Sequence, residues 1–162
     1  MNSKDHILSL LSEIPDPEIP VISIIELGVI RDITIIDNTS ISLKITPTYS
    51  GCPAMKQIED DVRNKLTENG FTNITIITIY SPPWTTDWIT AEAKEKLRKY
   101  GIAPPENTTE DKSWLTGKIK SIACPRCKSQ NTKLISQFGS TACKALYQCS
   151  ECLEPFDYFK CI

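Results

Sequence analysis

A single histidine, His6, is all that the chain contains, so it can build neither a histidine-rich metal site nor a catalytic triad with a second histidine in reserve. No stretch approaches the roughly 20 consecutive apolar residues that a membrane helix needs. The start, Met1-Asn2-Ser3-Lys4-Asp5-His6, leads into a helix with acidic residues and lacks a signal-peptide cleavage pattern. Internal repeats are missing, and the only polar low-complexity tract is a short connecting segment. Gly139-Ser140-Thr141-Ala142-Cys143-Lys144 superficially resembles a phosphate loop, but it lacks the second glycine and the hydroxyl that should follow the lysine. Nothing assembles a nucleophile, a base and an oxyanion site, so a free-standing enzyme is not expected.

What is present is unevenly placed. The chain has 162 residues, enough for one domain or a medium one with a small appendage. Its seven cysteines are odd in number, and six of them lie in residues 118–162. That usage suits cytosolic thiols that bind metal or react, and not a secreted disulfide framework. Residues 1–117 hold 11 basic and 17 acidic side chains, whereas residues 118–162 hold 7 basic and 3 acidic. Between the two compositions runs a polar stretch opened by Pro104-Pro105, which can neither continue a helix nor fill a sheet centre. The expected organisation is a first domain over 1–101, a linker over 102–117 and a second domain over 118–162.

The first domain reads as an α+β, two-layer α-β-β-α-β-α unit. Ile7, Leu8, Leu10, Leu11 and Ile14 form an apolar helical face over 6–14. Residues 29–36 and 40–46 are Ile-rich strands around Asp37-Asn38-Thr39. In the second, Ile41, Leu43 and Ile45 alternate with Ser42, Lys44 and Thr46, the period of a half-buried strand. Ala54, Ile58, Val62 and Leu66 place a helix over 53–69, with Gly70 as its left-handed stop. A third strand covers 73–80. A final helix covers 91–100, with Thr90 as N-cap and Gly101 just beyond it.

The strongest chemistry lies near the end. Cys124-Pro125-Arg126-Cys127 and Cys149-Ser150-Glu151-Cys152 are two C-x-x-C pairs with 21 residues between them. Each pair can chelate one ion from a single tight knuckle, and two knuckles complete a tetrahedral four-sulfur shell. Short aromatic-bearing alternating runs at 133–138, 144–148 and 154–160 complete the pattern of a zinc β-ribbon. A module of about 45 residues needs such a staple. A closed structural shell favours zinc, softness alone also admits iron, and a redox C-x-x-C or disulfide is the competing reading. Cys143 and Cys161 fit neither the shell nor an obvious pair. The open readings are extra ligands near Cys52, a second weak site, replacement of one of the four zinc ligands, or small buried residues of a compact ribbon.

Cys52 stands apart, in Thr46-Pro47-Thr48-Tyr49-Ser50-Gly51-Cys52-Pro53. With Pro53 as the first helical residue, Cys52 is expected at the N-cap, where free amides and the helix dipole stabilise a thiolate. The alternative is a buried small hydrophobe.

Asp16-Pro17-Glu18-Ile19-Pro20, Glu26-Leu27-Gly28-Val29-Ile30, Ser50-Gly51-Cys52-Pro53 and Pro83-Trp84-Thr85-Thr86-Asp87-Trp88-Ile89 resemble the SufT-type domain of iron–sulfur assembly factors. With Phe138-Gly139-Ser140-Thr141-Ala142-Cys143-Lys144 and Glu154-Pro155-Phe156-Asp157-Tyr158-Phe159-Lys160-Cys161, nearly the whole chain resembles the PaaD (PaaJ) family of phenylacetyl-CoA epoxidase accessory subunits. That resemblance implies a non-catalytic protein that assists iron–sulfur cluster assembly or insertion, with the flavin/iron–sulfur reductase component as client. It implies that Cys52 is the cluster-handling thiol, with Asp16 and Glu18 beside it and Thr85, Thr86 and Asp87 as further candidates to line the site. Asp16 and Glu18 are equally readable as turn residues, and Thr85–Asp87 as a helix cap. One cysteine cannot supply the four thiolates that a cluster wants, so the expectation is a transient cluster or a homodimer sharing a site. Two rival functions remain: nucleic-acid binding by a basic, aromatic ribbon, which the acidic first domain opposes, and thiol–disulfide exchange.

Overall fold

The computed structural model describes residues 3–105 and 121–159. The chain divides into two compact units, residues 1–84 and 85–162.

In the first unit, helix α1 (Lys4–Ser12) starts at Ser3, whose hydroxyl oxygen accepts the His6 amide at 3.2 Å. Its apolar stripe buries Ile7 and Leu11 completely. A buried loop follows, pinned where the Asp16 amide donates to the Ile22 carbonyl and the Ile24 amide to the Ile14 carbonyl. It leads into β1 (Ile30–Ile35), which turns back antiparallel into β2 (Ser40–Ile45). The hairpin is set by Asp37, whose carboxylate accepts the Thr39 amide at 2.8 Å. That bond, helped by the Ser40 and Thr39 hydroxyls, holds the Asp37 carboxyl below its ordinary range.

Ile41, Leu43 and Ile45 of β2 are fully buried, as the alternation predicts. Thr46, expected on the wet side, is buried as well; its hydroxyl donates to the Ile79 carbonyl at 2.8 Å, which removes the cost of burying it. Helix α2 (Ala54–Glu68) carries the chain across to β3 (Asn73–Thr78), which lies parallel to β2, so the sheet order is β1-β2-β3. Its buried residues are Ala54, Ile58, Val62 and Leu66, the four that the spacing picks out. Helix α2 packs on β3 and on α1. Arg63 donates to the Ile74 carbonyl at 2.8 Å and so covers part of the exposed β3 edge.

The second unit opens with a single 3-10 turn, Thr86–Trp88, and helix α3 (Ala91–Tyr100). Thr90 is the N-cap, its hydroxyl oxygen accepting the Ala93 amide at 3.1 Å. Gly101 takes φ +92° at the other end, a conformation that glycine adopts without steric cost. The ribbon sheet has the order β4-β7-β6-β5, with β4 (Ile102–Ala103), β5 (Thr132–Ser136), β6 (Lys144–Cys149) and β7 (Pro155–Phe159). Ile102 and Ala103, assigned from sequence to the linker, are therefore strand residues paired in parallel with Asp157 and Tyr158. Burial of two apolar side chains and a ladder to β7 outweigh the pair of prolines that follow. Residues 106–117 of the expected linker lie outside the described residues. A small core of Ala103, Ile122, Ala145, Tyr147, Phe156 and Tyr158 surrounds Cys124 and Cys149. Tyr147 stacks on Phe156 and meets the edge of Tyr158, each with ring centroids 5.9 Å apart. The mixed α+β architecture ending in a cysteine-bearing ribbon is the one expected. Among the described residues, no helix is long and apolar enough to cross a membrane.

Candidate metal centre and the Cys52 loop

The two C-x-x-C segments fold alike, because the same hydrogen bonds close both. The Cys124 amide donates to the Ser129 carbonyl at 2.9 Å, and the Cys149 amide to the Glu154 carbonyl at 3.0 Å. In each, the residue after the second cysteine turns left-handed: Lys128 at φ +64° and Leu153 at φ +63°. Arg126 of one knuckle and Glu154 beside the other form an ion pair at 2.6 Å, and Asn131 donates to Glu151 at 2.9 Å. These contacts bring the four sulfurs of Cys124, Cys127, Cys149 and Cys152 within 4.8 Å of one another.

A tetrahedral shell with zinc–sulfur bonds of about 2.3 Å has sulfur–sulfur edges of about 3.8 Å. The two cross-knuckle pairs, Cys124–Cys152 and Cys127–Cys149, stand at 3.8 Å and 3.5 Å. A disulfide needs about 2.05 Å, and all four cysteines are free thiols. The donor set therefore fits a metal ion. Its electrostatics agree. Amides of Cys152 and Glu151 pull the Cys149 thiol down to about 7. Against the pull of the Ser129 amide, desolvation and the other three thiols push Cys127 up to about 12. Four sulfurs this close do not all ionise without a cation between them, and a bound metal reverses that logic.

The second site is built where the buried loop of residues 13–29 meets the turn between β2 and α2. Asp16 is buried, and one carboxylate oxygen accepts the amides of Glu18 at 2.9 Å and Ile19 at 2.8 Å. Glu18 reaches the opposite loop, where the Tyr49 hydroxyl donates to its carboxylate at 3.4 Å. Gly51, at φ +76°, lets the chain turn sharply into Cys52. The helix begins one residue later than expected: Pro53 is the N-cap, and the half-buried Cys52 precedes it. The expected lowering of the thiol is also reversed. Burial pushes the Cys52 thiol up, and the charges of Glu18 and Asp16 push the same way. They outweigh the Ala54 amide and the Tyr49 hydroxyl, which favour the thiolate.

Two family models match the chain in series: an iron–sulfur cluster assembly protein over residues 4–74 and a PaaD zinc beta ribbon domain over residues 108–160. A protein of Escherichia coli (strain K12), named for a place among the subunits of 1,2-phenylacetyl-CoA epoxidase, is 51% identical over 97% of this chain and 92% of its own length. The chain belongs to the PaaD family. The first module has further relatives. The Fe-S protein maturation auxiliary factor SufT of Staphylococcus aureus (strain USA300) is 36% identical over 51% of this chain and 93% of its own. A crystal structure of a domain of unknown function, DUF59, from Bacillus anthracis superposes with a TM-score of 0.55 at 29% identity, covering 58% of this chain and 90% of that one.

Of the residues singled out from sequence, Asp16, Glu18 and Cys52 come together in the first unit, and the four C-x-x-C cysteines in the second. Thr85, Thr86 and Asp87 belong to the second unit. The Thr85 hydroxyl oxygen accepts the Asp87 amide at 3.0 Å as the cap of the 3-10 turn, and Thr86 is buried. Cys143 is buried 3.0 Å from the Thr141 hydroxyl and is not one of the four clustered sulfurs. Cys161 lies outside the described residues. Sequence reasoning misses Tyr49: it stands three residues before Cys52, but only the meeting of two distant loops shows that it touches Glu18.

Proposed function

We propose that this chain is a non-catalytic, cytoplasmic assembly subunit of a phenylacetyl-CoA epoxidase system, which handles an iron–sulfur cluster destined for the flavin/iron–sulfur reductase component. The observation that carries this reading is the half-buried Cys52 set beside Asp16 and Glu18, in a module that matches iron–sulfur assembly proteins and continues into the ribbon of the PaaD family.

The chemistry follows from the donors. Kept protonated by burial and by two carboxylates, Cys52 is a poor nucleophile at neutral pH. An iron ion or cluster edge changes the balance, since a cation is attracted by the same carboxylates and displaces the thiol proton. Cys52 then offers one sulfur, and Asp16 and Glu18 offer oxygens or hydrogen-bond acceptors. One thiolate is too few to retain a cluster that takes four. Release to a protein bringing its own cysteines is therefore favoured over storage. In the ribbon, a closed four-sulfur shell with sulfur–sulfur edges near 3.8 Å suits structural zinc. When bound, that ion supplies folding energy and no reactivity, and the knuckle amides and the Arg126–Glu154 pair orient the sulfurs.

The test is reconstitution of the apo-reductase with iron, sulfide and this chain, comparing wild type with Cys52→Ser. The expected result is a reductase with full iron–sulfur absorbance and activity only with wild type. Equal maturation by Cys52→Ser contradicts the role given to that thiol.

A further inference from the structure

We infer that Tyr80, with the exposed Pro82 and Pro83 after it, is the apolar anchor on which a basic, cysteine-bearing segment of the client protein docks beside Cys52. This rests on the reading of Cys52 as a cluster-handling thiol and adds to it the surface that presents the client.

Backbone pairing fixes the placement. Strands β2 and β3 run parallel, with Ile45 opposite Thr78. The Ile79 amide donates to the Ile45 carbonyl at 2.8 Å, and the Thr46 hydroxyl donates back to the Ile79 carbonyl at 2.8 Å. Residues 46–52 and residues 80–83 therefore leave the sheet side by side at the same end, the end where ligands gather in open sheets with parallel strands. Val29 joins them, accepting the Thr46 amide at 2.9 Å, and brings the Asp16–Glu18 loop to the same end. There Tyr80 is 65% exposed, although it closely follows a strand whose aliphatics are at least partly covered on one face. Large exposed aromatics are the residues that most often anchor a partner.

The charge pattern says what kind of partner. Segments 14–29, 46–55 and 79–84, which converge at this end, contain no lysine or arginine; of their carboxylates Asp16 is buried and Glu18 and Glu26 are half-buried, and Lys56, just past them, is paired with Asp60 at 2.7 Å. A client segment rich in Lys or Arg is drawn to that surface and an acidic one is repelled. Ligand count adds the rest. A cluster leaving Cys52 needs thiolates from the incoming chain.

The structure supplies its own control in Ile36, which is 64% exposed. Its amide donates to the Ser40 carbonyl at the hairpin, the opposite end of the same sheet. The experiment measures binding of the purified apo-reductase to the full-length chain by titration calorimetry. Tyr80→Ala is expected to weaken binding at least tenfold, while Tyr80→Phe and Ile36→Ala bind like wild type. Raising salt from about 0.05 M to about 0.3 M weakens wild-type binding severalfold. If wild type binds but Tyr80→Ala binds equally well, the docking inference fails and the role of Cys52 stands. If wild type does not bind the reductase, the client assignment itself falls, and the inference with it. Binding that is indifferent to salt overturns the basic character of the partner. A change in self-association with Tyr80→Ala, seen by sedimentation without a change in reductase binding, assigns the face to a second copy of this chain and also overturns the inference.

Discussion

Replacing Leu153 with glycine is expected to stabilise the ribbon, although it removes a large apolar side chain. Leu153 sits at φ +63°, just after the second cysteine of its knuckle, and its side chain is 68% exposed. Left-handed backbone costs an L-residue roughly 1–2 kcal/mol. Glycine removes that cost but returns roughly 0.5–1 kcal/mol as added freedom in the unfolded chain. With little burial to lose, the net gain is about 0.5–1 kcal/mol, or a rise of about 2–6 °C in Tm for a unit of this size. The Leu153 carbonyl, which accepts from the Gln148 side chain at 3.2 Å, is kept by the substitution. Lys128→Gly, at φ +64° in the twin knuckle, is expected to behave alike. Leu153→Ala keeps the strain and is expected to change little. Calorimetry of the zinc-loaded chain reads all three, the ribbon transition being the one that a chelator abolishes. A lower Tm for both glycine variants refutes the argument that these turns are strained.

Gly139→Ala is expected to act in the opposite direction: a Cβ there meets an Asp157 carboxylate oxygen too closely for both to stay in place. The carboxylate turns aside, which disturbs the 3.0 Å bond that its other oxygen accepts from Ser140, at a cost of about 0.5–1.5 kcal/mol read as a slightly lower ribbon Tm. Cys124→Ser or Cys149→Ser is expected to lose the metal and, with it, a folding contribution of roughly 10 kcal/mol or more, seen as loss of zinc and of the ribbon transition. Glu18→Gln removes a charge that holds the Cys52 thiol up, so the rate of alkylation by iodoacetamide at pH 8 is expected to increase. Because the folded-state value for Cys52 is raised, the native state binds more protons than the unfolded one above the ordinary thiol range. Stability is therefore expected to fall as pH rises beyond about 8.5, and less steeply in Cys52→Ser.

Much of this molecule is legible in local pattern. The four-residue spacing of Ala54, Ile58, Val62 and Leu66 and the Thr90–Gly101 bracket around α3 reappear because burial and capping are decided within a few turns. The four-sulfur centre is legible because C-x-x-C is itself a local geometric statement. What escapes is non-local or conformational. Strand β4 is two residues long and owes its existence to Asp157 and Tyr158, more than fifty positions away. Tyr49 gains meaning only when Glu18, 31 residues earlier, folds against it. The strained turns at Lys128 and Leu153 carry no glycine to announce them. The shift of the Cys52 thiol runs against the sequence reading because helix-end amides are visible in sequence order, whereas burial and two carboxylates arriving from another loop are not.

On the proposed function, one thiol in the first unit handles iron–sulfur cargo while the ribbon holds a separate structural ion. Metal content per chain, with an absorption spectrum, on wild type and Cys52→Ser purified without oxygen tests it most directly. One zinc is expected in both proteins, and iron with sulfide-type absorption in wild type alone. Equal iron and absorption in Cys52→Ser, or zinc missing from both, contradicts it.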